Sequence, residues 1–165
     1  MVRTDHSIGV ASMPCSILIV EECRLVCGAL RGALSCCSWV GLVSCAATPA
    51  EAIEVSSAYR PEIVLLSMRT KDPAACVAAL RQSNCAARII AVSVADTEEE
   101  IIACAELGVA GMLPTTGSLE DLEMIVASVM RGETVCSPRV TGVLLRRVTA
   151  WPRSRRSCPP IRKVA

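Results

Sequence analysis

The amino-acid sequence predicts a three-layer α/β protein with one parallel five-stranded sheet and helices on both of its faces. Two observations carry this. Short β-rich apolar runs alternate five times with segments of helical periodicity. The runs are continuously apolar and do not alternate apolar with polar residues, the composition of strands buried on both faces.

The first strand is "SILIV", residues 16 to 20, and the helical segment after it repeats Leu25, Leu30 and Leu34 among small residues. "WVGLVSC", 39 to 45, is the second strand. Its helix opens with Thr48-Pro49-Ala50-Glu51: a threonine cap, a proline at the first helical position and a glutamate placed to reach back to the cap. "EIVLL", 62 to 66, is the third strand, with a helix near 73 to 83. "RIIAVSV", 88 to 94, is the fourth, with a helix from about Thr97 that holds Glu98, Glu99 and Glu100 at its positive end. "AGMLP", 110 to 114, is the fifth, followed by a helix from Ser118 through Arg131 with acids in its first turn. Right-handed crossovers then favour the flavodoxin-like strand order 2-1-3-4-5.

Composition narrows the function classes. At 165 residues, 52% hydrophobic and 20% charged, the chain is globular and long enough to bury a full core. No apolar run reaches the length of a membrane span without a charge, and "MVRTDHSIGVASMPCS" does not read as a signal peptide. The expected location is the cytoplasm, with no membrane partner. Eleven cysteines are an odd count, without C-x-x-C and with His6 as the single histidine, so they read as reduced thiols used as small core residues, Cys23, Cys27, Cys76 and Cys104 among them. The pair Cys36 and Cys37, with Cys45 nearby, is the one cluster with redox character. Charge is segregated: the net +1 hides a C-terminal stretch in which Arg146, Arg147, Arg153, Arg155, Arg156, Arg162 and Lys163 occur with no acid.

In open parallel sheets the function collects at the carboxyl ends of the strands. The residues there are Glu21 and Glu22 after the first strand, Ser67 after the third, Ser93 late in the fourth, and Thr115 after the fifth. With "ILIVEECRLVCGAL", "RPEIVLLSMR", "RIIAVSVADTEEEIIACAELGVAGML" and "SLEDLEMIVASVMRGETVCSPRV" in this order, the chain resembles the CheY-like receiver domain of bacterial response regulators, especially those joined to a LuxR-type helix-turn-helix. The resemblance covers residues 16 to about 148. It implies a flexible N-terminus over 1–15, a receiver-like domain over 16–132, an exit segment with a short helix over 133–148 and a basic disordered tail over 149–165.

The resemblance also implies what should occupy the site: two acids that hold Mg²⁺, an aspartate that accepts a phosphoryl group, a Ser or Thr in the fourth strand and a Lys after the fifth. Here Ser67 stands at the phosphoacceptor position, Glu21 and Glu22 replace the shorter acid pair, and Thr115 replaces the lysine. Met112 replaces the switch aromatic, Lys71 stands where proline is usual, and Ser93 alone keeps the pattern. A serine hydroxyl is a weak nucleophile without a base. The expectation is a pseudo-receiver that is not an enzyme, needs no cofactor, holds Mg²⁺ at most weakly through Glu21 and Glu22, and pairs with itself or another response regulator through the fourth and fifth βα units. No dinucleotide fingerprint, P-loop or nucleophile elbow occurs. The alternative is a truncated or frameshifted DNA-binding regulator whose basic tail, Arg146 to Lys163, touches nucleic acid non-specifically.

Overall fold

The computed structural model describes residues 14–83 and 86–150. The expected flexible start, His6, and the tail residues Arg153, Arg155, Arg156, Arg162 and Lys163 fall outside the described residues or almost entirely so, since only residues 14 and 15 of the start are described. Five strands, β1 (Cys15–Val20), β2 (Val40–Ala46), β3 (Ile63–Ser67), β4 (Arg88–Val94) and β5 (Gly111–Pro114), alternate with α1 (Arg24–Ser35), α2 (Pro49–Tyr59), α3 (Pro73–Gln82), α4 (Glu98–Glu106) and α5 (Leu119–Met130). A sixth helix, α6 (Pro138–Thr149), follows. All strand pairs are parallel and the order is β2-β1-β3-β4-β5, as the crossover argument requires.

The continuous apolar runs are buried on both faces. Residues 17–20 and 63–67 are all buried, and two hydrophobic clusters lie on opposite sides of the sheet. One joins Ile17, Ile19, Ile63, Leu65 and Ile90 to α1 and α5; the other joins Leu18, Val20, Val64, Leu66 and Ala91 to α2, α3 and α4. Alternate residues of one strand therefore feed two cores, which is why no polar position interrupts the run.

Caps start the helices where the side chains allow. Thr48, Asp72, Thr97, Ser118 and Ser137 each accept a backbone amide of the first turn. At α2 the glutamate reaches one residue further back than the expected box: the Glu51 carboxylate accepts the Ala47 amide at 2.8 Å, not the Thr48 amide. The reciprocal box is instead complete at α5, between Ser118 and Asp121.

Two inward-facing expectations are corrected. In α1 the buried face is Cys27, Leu30 and Leu34, while Leu25 is 82% exposed and Cys23 is exposed. Leu25 lies two residues before Cys27, off the stripe that the spacing 27, 30, 34 turns toward the sheet. The remaining thiols largely pack as read: Cys15, Cys27, Cys76 and Cys104 are buried, and burial pushes the thiols of Cys15 and Cys104 up to about 11. Burial first, and then the neighbouring Cys45 on β2, hold the Cys27 thiol up at about 12, and Cys37 donates to the Ala33 carbonyl at 3.6 Å. Among the described residues no helix is long and apolar enough to cross a membrane.

Helix α6 folds back onto α4. Val143 is 2% exposed beneath it, and three arginines on α6 meet three acids of α4 and its approach: Arg139 with Asp96, Arg146 with Glu98, and Arg147 with Glu106. Positions 139 and 146 lie seven residues apart on one face of the helix, and Arg147 reaches Glu106 from the flank of that face.

Candidate functional site

The strand order brings the carboxyl ends of β1, β3, β4 and β5 side by side, and the residues singled out in the sequence lie there together. Val20 pairs with Leu66, Ser67 with Val92, and Val94 with Pro114, so Glu21, Ser67, Ser93 and Thr115 follow one another across the sheet edge. Glu21 is buried and Glu22 exposed.

Each of these groups is bonded to its own fold. Glu21 accepts the Cys23 amide at 2.8 Å and Glu22 accepts the Lys71 amide at 2.8 Å, so the second acid ties the β1–α1 loop to the loop after β3. Ser67 is 1% exposed, and its hydroxyl accepts the Arg69 amide at 3.2 Å. Its carbonyl takes both the amide and the hydroxyl of Thr70, at 3.3 and 3.1 Å. This is a tight turn that closes over the end of β3 and leaves the Ser67 oxygen facing a backbone donor. Thr115 donates to the Val94 carbonyl at 3.3 Å. Met112 is half-buried against the cluster under α2, α3 and α4.

Ser93 sits at φ +58° in the left-handed region, where β4 and β5 shift register between Ala91 and Val94. The bulge turns its carbonyl toward the loop after β3. Arg69 uses that carbonyl. Its Nε donates to the Ser93 oxygen at 3.3 Å, and its Nη2 bonds both carboxylate oxygens of Glu100, at 2.9 and 3.0 Å. Arg69 therefore spans from β3 to β4 and on to the first turn of α4, with Glu100 at 19% and Arg69 at 54% side-chain exposure.

Arg69, Thr70 and Glu100 were not among the residues expected to build the site. The available signal was slight: an arginine two residues past Ser67 and an acidic run at the start of α4. Nothing in the chain order says that a residue at 69 meets one at 100.

The receiver resemblance implies a divalent cation, and the donor set does not fit one. A hard cation takes about six oxygens. Here the two glutamates point at different amides, the third position is a hydroxyl that accepts an amide, and no three His, Cys, Asp or Glu come together among the described residues.

The fold is that of known receivers. No family model matches the chain. The nitrate/nitrite response regulator protein NarL of Escherichia coli is 25% identical over 133 residues, which are 79% of this chain and 62% of that relative. The chain thus spans less than two thirds of the length of the curated relative it matches. A LuxR-family two-component response regulator from an Aurantimonas species superposes with a TM-score of 0.71 at 20% identity, covering 82% of this chain and 99% of that one. The isolated REC domain of RcsB from Salmonella enterica serovar Typhimurium, in its apo form, gives 0.70 at 16% identity and covers 79% and 98%. RcsB in complex with DNA gives 0.70 at 14% identity, covering 86% of this chain and 73% of that one. The five-stranded order and the surrounding helices are those of the LuxR-family response-regulator receiver.

Proposed function

We propose that this chain is a phosphorylation-independent receiver that works in signal transduction or transcription control by binding protein, not by taking a phosphoryl group. One observation supports the reading: the Ser67 hydroxyl accepts the Arg69 amide, and the Arg69 side chain donates to the Ser93 carbonyl and to Glu100. A carboxylate nucleophile, a cation and a lysine each support phosphoryl transfer by placing charge where it develops. Ser67 and Thr115 are neutral, and the cation of Arg69 is already paired.

The test is incubation of the protein with acetyl phosphate and Mg²⁺, read by intact mass and by sedimentation. Unchanged mass and an unchanged oligomeric state are expected. A stoichiometric phosphoryl adduct sinks the reading.

The proposed partner is a second copy or another response regulator, bound through the fourth and fifth βα units. Because α6 already lies on α4, the part of that surface left to a partner is β5 and α5, where Met124 is 58% exposed. Sedimentation across a concentration series is expected to show association; a monomer throughout, with no complex on mixing with other response regulators, sinks it.

A second reading, nucleic-acid contact by the basic C-terminal segment, draws on the charge segregation of the sequence. Arg146 and Arg147 face Glu98 and Glu106 in the structure, so such contact rests first on 153–163. Binding to duplex DNA that weakens steeply with salt is the expected signature. Absence of binding at low salt removes it.

A further inference from the structure

A surface helix ordinarily shows its charges to water and its apolar side chains to the body. Helix α6 departs from that layout. All three of its arginines turn toward α4 and its approach: Arg139 bonds the Asp96 carboxylate at 2.5 Å and the Asp96 carbonyl at 3.0 Å, Arg146 bonds Glu98, and Arg147 lies 3.5 Å from Glu106. Leu145 is left 60% exposed on the outside. The arginines therefore serve as the means by which α6 finds α4, and three acids against three cations make that contact selective.

The hold on α6 is selective but slight. Val143 is its one buried residue, and the side chains of all three ion pairs are 55% to 67% exposed, where such pairs contribute little each. Helix α6 packs chiefly on α4. The segment leading to it lies along the far edge of β5: Gly111 pairs with Ile90 of β4 on one side and makes a parallel bridge to Val135 on the other. The turn before that segment closes on the end of α5 itself, with Gly132 at φ +82°, its amide on the Val129 carbonyl at 2.9 Å, and Arg131 on Glu133 at 3.0 Å. Residues 131–137, drawn out at about 3.3 Å each, span roughly 23 Å. Helix α6 is thus joined through a stretch long enough to carry it to a neighbouring molecule.

We propose that two copies of this chain pair by exchanging α6, each α6 seating its Val143 and its arginines on the α4 of the other copy. The proposal rests on the reading that a second copy binds through the fourth and fifth βα units, and it names the surface. A second copy can reach α4 only where α6 has left it, and each copy carries the helix that fits the vacated face. Exchange keeps every contact that α6 makes and adds none of like charge, which makes it a low-cost route to a closed two-fold dimer.

The test uses two full-chain variants with opposite charge reversals. One carries Arg139→Glu and Arg147→Glu on α6; the other carries Asp96→Arg and Glu106→Arg on the α4 side. Alone, each variant sets like charges against each other. Mixed in equal amounts, they restore both sets of opposite charges, but only across the two copies. Sedimentation is expected to show each variant self-associating about tenfold more weakly than the parent chain, and the mixture associating at least about tenfold more tightly than either variant alone. A chain with all four substitutions regains the pairing within itself and is expected to behave as the parent, which separates lost charge matching from a misfolded variant. Parent dimers with a mixture no tighter than its components overturn the exchange and leave the partner reading standing. A parent chain that stays monomeric at every concentration overturns both.

Discussion

The two ends of β3 are built from the same kinds of groups and finished in opposite ways. At the carboxyl end, Ser67, Arg69, Glu22 and Glu100 all find partners inside the fold. At the amino end, Arg60 and Arg88 make no ion pair among the described residues, Arg88 donates to the Met130 sulfur at 3.8 Å, and the Ser56 hydroxyl has no hydrogen-bond partner. At the carboxyl end Arg69 is bonded to the Ser93 carbonyl and to both carboxylate oxygens of Glu100. An arginine paired within its own chain stabilises one arrangement of the loops. An exposed arginine without an ion pair leaves its charge to solvent.

Both ends hang on β3, so the largest expected effect removes their common support. Leu65→Ala, at a fully buried position, is expected to destabilise the protein by about 3 kcal/mol and to loosen both ends together, as read by denaturant unfolding and amide exchange. Exchange that rises at one end only breaks the view that a single strand holds both.

A smaller loss is expected in alkali, and it treats the two ends alike. Burial first, then Glu62 at the amino end and Glu100 at the carboxyl end, hold the Cys15 and Cys104 thiols up at about 11, against an ordinary value of 9.0. A folded pKa above the unfolded one means that this stability is intact below pH 9.0 and is lost as the pH rises toward 11. Cys15→Ala and Cys104→Ala should each flatten that fall in a melting-temperature profile, by similar amounts. A profile flat between those values in the parent protein contradicts it.

Arg69→Ala opens the carboxyl end alone. Because Arg69 is 54% exposed, the expected cost is only about 0.5 kcal/mol, shrinking with added salt. The sharper readout is faster amide exchange at Lys71 and in the first turn of α4, with Arg60 and Arg88 unchanged. If exchange at α4 stays as it was, the bridge does not hold that loop.

The smallest effect belongs to Ser93→Gly. Glycine relieves the left-handed backbone but gains freedom in the unfolded chain, and the two terms nearly cancel, leaving a change within about 0.5 kcal/mol. A loss well above that shows that the Ser93 hydroxyl, not its backbone, matters at the closed end.

Much of this protein was legible in one dimension. The alternation of continuous apolar runs with capped helices yields the layers and the strand order, because burial on both faces, capping and crossover handedness are short-range properties of residues close in sequence. The positions at the strand ends, Glu21, Glu22, Ser67, Ser93 and Thr115, follow from the same pattern. Their surroundings do not. Leu25 shared the helical period loosely enough to read as core and is on the surface, because a period names a face only to within the width of its stripe.

What the tertiary structure alone decided is which groups meet. Arg69 bonds Glu100 across 31 residues, Glu22 bonds Lys71 across 49, and α6 lays Arg146 on Glu98 across 48. The amino-acid sequence by itself determined the kinds of groups placed at each end of the sheet. Loop closure and crossover packing determined that Arg69 at the carboxyl end meets Glu100 while Arg60 and Arg88 at the amino end make no ion pair among the described residues, since contacts between distant residues depend on how the layers stack and not on any local period.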